Sequence, residues 1–506
     1  MVSGTIYKIS LTTESLTVLN GTTNLTLNNG NYASLGSNQW DWYNSELYVN
    51  IGSDPTGGNI EAGQRSYGIW LNGKNYITVE NIIIRNVNIS GLLLNNGSTG
   101  VIVNNVEGYS NGNETFKQLD TTSATYNNII GSYNLDDGFS LHDSAIATIN
   151  TGTFNNNVSG INNQNSSQIT LNDVTISNNS QDGVWVLGAT GGSGGITTIN
   201  NATFTSNPNN LKIQNDQAIN ATNVTISGGT FGLYLNSTGQ LTFSGVQISG
   251  VSNYAVYVFG STTATISKAN INNNNTSHII DVESNGSLTL NNSLVHNNRG
   301  ASKYSFIARS GSNNTIKNTV FYNNTHGLYV DTTGIIALYN SVLTSLGYGI
   351  AFYSGAPATN VTLSNNDFYS NTTNFYGASP TNTNGLAIDP SFTNPGGSDF
   401  TLQYISGLIN TGIDVGLTTD YASNSVPQGS APDIGAYEFQ TGTVSSLAQY
   451  KSDGTTSVVT GNWTNETTMV LKFLMSSTSS SDSLTDAGNI RPFKGGEECV
   501  ARNKQR

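Results

Sequence analysis

Short runs of alternating apolar and polar residues make up most of this chain. ITVENIIIRN, ATINTGTFNNN, ITLNDVTISNN and LTFSGVQISGV each place side chains on two faces with a period of two, the signature of half-buried strands. The 3.6-residue spacing of helices is missing. The runs also recur. From about Tyr67 to Thr372 one unit returns every two dozen residues or so: a Gly or small residue, an apolar run, a polar turn, a second alternating run, then Asn-rich residues. YGIWLNGKNYITVENIIIRN, DDGFSLHDSAIATINTGTFNNN and THGLYVDTTGIIALYNSVLTS are three copies. A period of that length marks a stack in which each repeat buries its apolar face against its neighbours.

About thirteen rungs can be laid out, starting near Tyr67, Ile89, Glu114, Leu135, Val158, Gln181, Pro208, Thr230, Ser252, Asn275, Gly300, Thr325 and Gly349. The leucine-rich-repeat spacing is absent, and a β-propeller needs about four strands per 40–50 residues. The pattern therefore predicts an all-β, right-handed parallel β-helix with three short strands per turn. Asn at the turns suits left-handed backbone and side-chain ladders. Residues 1–66, with the aromatic knot Trp40-Asp-Trp-Tyr43, read as an N-terminal cap or first rungs, the knot as packing. Residues 67–384 are the β-helix. Residues 385–440 read as a closing segment over the last open strand edges. Residues 441–506 read as a linker and a truncated β-sandwich-like fragment, mobile after about residue 476.

Composition narrows the function. Only 10% of the 506 residues are charged and the net charge is -13, yet 24 Tyr and 17 Phe argue against disorder. The 18 Lys and Arg are scattered singly, so no basic stripe exists for nucleic acid. No run reaches the roughly 18 apolar residues of a membrane span. The single cysteine, Cys499, excludes an intrachain disulfide and a Cys-based zinc site. Met1-Val-Ser-Gly-Thr lacks a secretory signal and the chain opens in mid-pattern, which predicts that a signal and cap precede it.

Outward positions of one strand stack across rungs at about 4.8 Å, so a site can be read as a column. Aligned on Gly68, Gly91, Gly138, Gly160, Gly183, Asn210 and Gly232, the second residue onward gives Trp70, Leu93, Ser140, Asn162, Trp185, Lys212 and Tyr234. The fourth gives Asn72, Asn95, His142, Gln164, Leu187, Gln214 and Asn236. The rung near Glu114 lacks the Gly. Anchoring it on Phe116 puts Asp120 beside His142, and Lys117 or Gln118 beside Ser140. The stretch from Asp120 to Tyr234 is the candidate site, the rest of the face being blander. Ser140, Asn162, Gln164, Trp185, Gln214 and Tyr234 are its expected sugar contacts, because amides serve hydroxyls and aromatic faces serve pyranose rings. Asp136-Asp-Gly-Phe-Ser-Leu-His-Asp143 is its densest cluster. With Asp182, the carboxylates Asp136, Asp137 and Asp143 could hold Ca²⁺, which takes six to eight oxygens. Asp-Asp-Gly is equally ordinary turn chemistry. His278, His296 and His326 read as turn residues.

The rungs resemble the parallel β-helix repeat proteins of the pectate-lyase-like superfamily, a mostly extracellular set of polysaccharide lyases, glycoside hydrolases, epimerases and adhesins. Ile388-Asp-Pro-Ser and Ser430-Ala-Pro-Asp-Ile-Gly-Ala-Tyr-Glu-Phe439 are similar to the closing segment of bacterial surface proteins described as choice-of-anchor Q. The resemblance implies a secreted or cell-surface, monomeric, polysaccharide-directed protein. It implies elimination on an acidic glycan, with His142 or Lys212 as base, Asp120 as the acid beside them or a further metal ligand, and a metal-bridged uronate. The column from Asp120 to Tyr234 lacks the arginine that some such lyases use. Two carboxylates roughly 5–9.5 Å apart would instead suit a hydrolase, and Asp120 with Asp143 is one such pair. A non-catalytic adhesin-like module is the alternative.

Overall fold

The computed structural model describes residues 2, 4–189, 194–275, 278–283, 285–300, 304–440, 443–450 and 470–476. Its central feature is the expected solenoid. One face is a sheet of 14 strands, all parallel, from Tyr67–Asn72 to Thr373–Tyr376. A second continuous ladder begins at Thr78–Arg85 and forms the rest of each turn. In the early rungs this part is one bent strand, such as Ile146–Asn155. From Asp182 onward it splits in two, as in Ile196–Asn200 and Thr203–Thr205, giving three strands per turn.

Sequence explains the corners. The bend is made by a left-handed residue in rung after rung: Asn105, Asn128, Asp173, Asn201, Asn223, Asn292, Asn318 and Asn340 all have φ between 46° and 57°. Asn and Asp tolerate that conformation because their short polar groups bond locally. The buried amides also bond each other. Asn134 Nδ2 donates to Asn157 Oδ1 (2.9 Å), Asn157 to Asn179 (3.2 Å) and Asn179 to Asn207 (2.9 Å). In an outer row the direction is reversed: Asn200 donates to Asn172, Asn172 to Asn150 and Asn150 to Asn127. These ladders satisfy groups that would be costly to bury unpaired.

The core is one row per inward position. Leu92, Phe116, Phe139, Ile161, Val184, Leu211, Leu233, Val256, Ile280, Phe306, Leu328 and Ile350 are all fully buried and follow one another in register. Burying each contributes about 1.5–3 kcal/mol. Such a continuous core keeps the outward columns aligned.

At the N-terminal end an antiparallel sheet of Tyr7–Ser10, Glu46–Asn50 and Gln39–Tyr43 encloses Trp40, whose indole N–H donates to Leu25 O at 3.2 Å. The aromatic knot is packing, with Tyr43 stacked on Tyr32 at 4.5 Å. This cap is tied to the first rung by the Thr17 hydroxyl donating to Asn86 Oδ1 and by Asn88 Nδ2 donating to Glu14 O.

The closing segment does more than cover the last edge. Leu386 adds one bridge to Asp367 of the final rung, and the chain then folds back along the flank. Asn292, Asn318, Asn340 and Asn365 donate side-chain bonds to the backbone oxygens of Thr419, Asp433, Ile413 and Thr411. Phe400 packs against His296 at 5.0 Å and Tyr322 at 5.3 Å. His296 is thus not a turn residue, and neither is His326, which opens the strand His326–Val330. His296 ends the strand Leu294–His296, is buried, and burial lowers its pKa to about 4.

Residues from Phe439 form a separate unit. Thr443–Tyr450 and Val470–Ser476 pair antiparallel within it, which is compatible with a small β fragment. The expected mobile tail, with Cys499, lies outside the described residues.

Candidate functional site

Three outward columns run along the 14-stranded sheet. The first stands just before the glycine position: Glu114, Asp137, Ser159, Asp182, Asn209, Phe231, Tyr254. The second contains Lys117, Ser140, Asn162, Trp185, Lys212, Tyr234, Tyr257, Asp281, Ile307, Tyr329, Ala351 and Tyr376 in register. The third carries His142, Gln164, Leu187, Gln214 and Asn236, the last four paired in register. The glycine position is small because a Cβ at Gly138 or Gly160 would lie 2.6 or 2.7 Å from the next rung's carbonyl oxygen.

One rung is shifted from the sequence alignment. Thr115, not Phe116, takes the glycine place, and Phe116 points inward in register with Phe139. Lys117 is therefore beside Ser140, while Gln118 is buried and accepts from the Tyr126 hydroxyl. Leu119 stands beside His142, and Asp120 moves on to the turn beside Asp143. Both aspartates are left-handed, with φ of 61° and 62°. Their carboxylates cap the preceding rung: Asn96 N–H donates to Asp120 at 2.7 Å and Asp120 N–H to Asp143 at 3.0 Å.

The remaining candidates fall into two clusters. In the first, Lys117 Nζ lies 3.1 Å from buried Glu114, which also accepts from the Ser90 hydroxyl. Asp137 is buried and accepts from Asn162 Nδ2 at 2.9 Å, and Gln164 donates to Asn162 at 3.0 Å. Ser140 Oγ and His142 Nε2 are 2.7 Å apart. Burial, with help from exposed Asp136, pushes Asp137 up to about 7. Burial also raises Glu114 against the pull of Lys117, and lowers His142, with Lys117 adding to the effect. The imidazole is therefore neutral at neutral pH.

In the second cluster Lys212 Nζ is 3.5 Å from buried Asp182 and 4.8 Å above the Trp185 ring. Asn209 donates to Asp182, and the Trp185 indole N–H donates to Gln214 at 2.9 Å. Lys212 stands three rungs from Ser140, roughly 14 Å at the interstrand spacing, so Lys212 and His142 do not share one reacting carbon.

The expected cation site does not assemble. Asp137 and Asp182 are two rungs apart, about 9.6 Å, whereas Ca²⁺ needs oxygens at about 2.3–2.6 Å. Asp182 is held by Lys212, Asp143 caps Asp120, and Asp137 is raised toward its neutral form. Among the described residues no group of three or more His, Cys, Asp or Glu could hold a metal ion.

The face beyond Tyr234 is richer than the sequence suggested. Tyr234, Tyr254, Tyr257, Phe231 and Phe259 form one ring cluster, with Tyr254 stacked on Tyr257 at 4.9 Å. Arg309 chelates fully buried Asp281 through two bonds of 3.0 and 2.7 Å. Farther on, His326 is stacked on Tyr348 at 4.7 Å, and Tyr348 on Tyr376 at 4.7 Å. The rungs of Tyr257, Asp281 and Ile307 were missed because Ala255, Ile279 and Ser305 replace the glycine that marks the register; the rungs at Gly327 and Gly349 keep it, and their rings were missed although that glycine marks their register. Rows of Tyr at the matching offset were the available signal.

The family described as Right handed beta helix region matches residues 159–305 and 231–394. With the parallel register of every rung, that match decides the fold assignment. The chain folds as a right-handed parallel β-helix, and the family match covers just under half of it. No curated protein matches it. Two solved structures are similar to the β-helix. One is titled "Crystal structure of pectate lyase Pel9A" (12% identity, 67% of this chain, 88% of that chain, TM-score 0.38). The other is titled "The complex structure of XylC with xylose" (11% identity, 79% of this chain, 72% of that chain, TM-score 0.27). Both overlays are loose, and the assignment rests on the family match and the register.

Proposed function

We propose that the β-helix binds a polysaccharide laid along the outward columns of its 14-stranded sheet. The observation that carries this reading is the Trp185–Lys212–Gln214 group beside the Tyr234–Tyr257 rings. Aromatic faces, amides and a charged group alternate there at the rung spacing. Aromatic rings bury the apolar faces of sugars, and amides and ammonium groups bond hydroxyls. Affinity electrophoresis against a panel of neutral and uronate polysaccharides tests it. Retardation by at least one glycan, weakened about tenfold in Trp185→Ala, supports the reading. An unretarded protein across the panel ends it.

A second reading, catalytic elimination on a uronate, is favoured by one observation. His142, neutral and half-buried, sits one rung from Lys117. The imidazole would remove the C5 proton of a uronate as the C4–O bond breaks, with Lys117 facing the carboxylate. Unsaturated products absorbing in the ultraviolet, absent with His142→Ala, are the expected result. Lys117 and Lys212 are each already paired with a buried carboxylate, Glu114 and Asp182, which leaves neither free to neutralise a uronate, so binding without turnover is the leading reading.

A further inference from the structure

The far end of the same sheet carries a cavity that the polar clusters do not touch. It encloses about 650 Å³ and is lined by Tyr304, Tyr329, Ala351, Tyr353 and Tyr376 together with the turn through Gly355. Its shape follows from the columns. Tyr329 and Tyr376 stand in the second column two rungs apart, with small Ala351 between them. At the interstrand spacing that leaves a slot about 9.6 Å from backbone to backbone, floored by a methyl group. Tyr304 forms the adjoining wall, with His326 and Tyr348 stacked in series behind it, each ring within 5.0 Å of the next. The turn after Tyr353, closed by Ala356 N–H donating to Tyr353 O at 2.9 Å, forms the other.

We infer that this cavity is a binding subsite for an uncharged pyranose unit of a glycan. The inference rests on the polysaccharide reading above and names the sugar class for this end of the sheet. Ring faces on several sides match the C–H faces of a sugar, and tyrosine hydroxyls at the rim donate to and accept from its hydroxyls. No Asp, Glu, Lys or Arg lines the cavity. His326, which stacks behind Tyr304, has its pKa lowered by burial and adds no positive charge next to the cavity at neutral pH. A uronate would lose its hydration there with no cation to replace it, whereas a neutral ring loses little. Tyr353 and Tyr376 are about half exposed, at 51% and 55%, so each presents ring surface to a ligand, Tyr376 while stacked on Tyr348.

The test is isothermal titration of the full chain with neutral and uronate oligosaccharides, comparing wild type, Tyr376→Ala, Tyr353→Ala and Trp185→Ala. Both tyrosines are exposed enough that their loss leaves the fold intact, which circular dichroism checks. The expected result is binding of at least one neutral oligosaccharide, weakened about tenfold in Tyr376→Ala and in Tyr353→Ala. Neutral binding that depends on Tyr376 but not on Trp185 upholds the subsite even if the polar clusters bind nothing. Neutral binding unchanged in both tyrosine variants overturns it, as does binding of uronates alone. Loss of all binding in Trp185→Ala with none in the tyrosine variants overturns it while leaving the polysaccharide reading standing.

Discussion

The polar stretch from Glu114 to Gln214 and the aromatic stretch from Phe231 to Tyr376 share one sheet and one register, yet they do different things with the same three columns. In the polar stretch a lysine in the second column is matched to a carboxylate in the first: Lys117 with Glu114, and Lys212 with Asp182. In the aromatic stretch rings stack along the columns from rung to rung, as His326, Tyr348 and Tyr376 do. The difference teaches that backbone supplies only a grid. What each stretch can hold depends on whether its side chains satisfy each other across columns or leave flat faces open. The Asp281–Arg309 pair lies inside the aromatic stretch and is the exception, because its carboxylate is buried and bonded twice to the guanidinium.

If one core underlies both stretches, removing a ring beneath either should cost the same. Phe139→Ala and Phe306→Ala should each lose about 3–5 kcal/mol in chemical denaturation. A much smaller loss in one would mean that the core is not continuous. The ion pairs should differ more. Arg309→Ala leaves a fully buried Asp281 without either of its charged bonds and should cost about 3 kcal/mol. Lys212→Ala also leaves a buried carboxylate, but Asp182 loses only a 3.5 Å contact and keeps its bond from Asn209, so it should cost less, about 2 kcal/mol.

Acidity separates the stretches as well. Asp137 is raised from 3.8 to about 7 by burial and by Asp136. Between about pH 4 and pH 7 the folded state keeps a proton there that the unfolded chain has released, so this group makes stability fall as pH rises through that window. Asp137→Asn should flatten the fall and raise stability above pH 7 by about 2 kcal/mol, measured as denaturation midpoints at pH 5 and pH 8. An unchanged pH profile would show that Asp137 is ionised and paired in the fold. The smallest expected effect is Tyr376→Ala, within about 0.5 kcal/mol of wild type, since the ring is exposed.

The fold was legible because its signals are repetitive. Period-two runs, glycine before each strand and Asn at the bends recur often enough to set a register without any alignment. The second column from Ser140 to Tyr234 was read correctly from the glycines and from Asn210, which takes the glycine place in one rung. The reading failed where that glycine is replaced. At Thr115 it slipped one residue and carried Asp120 to the wrong neighbour. At Ala255, Ile279 and Ser305 it lost the rungs that bear Tyr257, Asp281 and Arg309. The cation site failed for another reason. Carboxylates close in sequence, such as Asp137 and Asp143, are separated by the strand between them, and each finds its partner on an adjacent rung. The flank packing of residues 405–438 was invisible because it depends on Asn side chains of distant rungs meeting backbone oxygens.

Hydroxyl-radical footprinting of the full chain, with and without a saturating oligosaccharide found by titration, tests the central claim most directly. The account predicts protection at Trp185, Tyr234, Tyr329 and Tyr376 along the sheet, and none at Tyr76, which stands 85% exposed in a turn away from it. Protection confined to other faces, with those four rings unchanged, would contradict it.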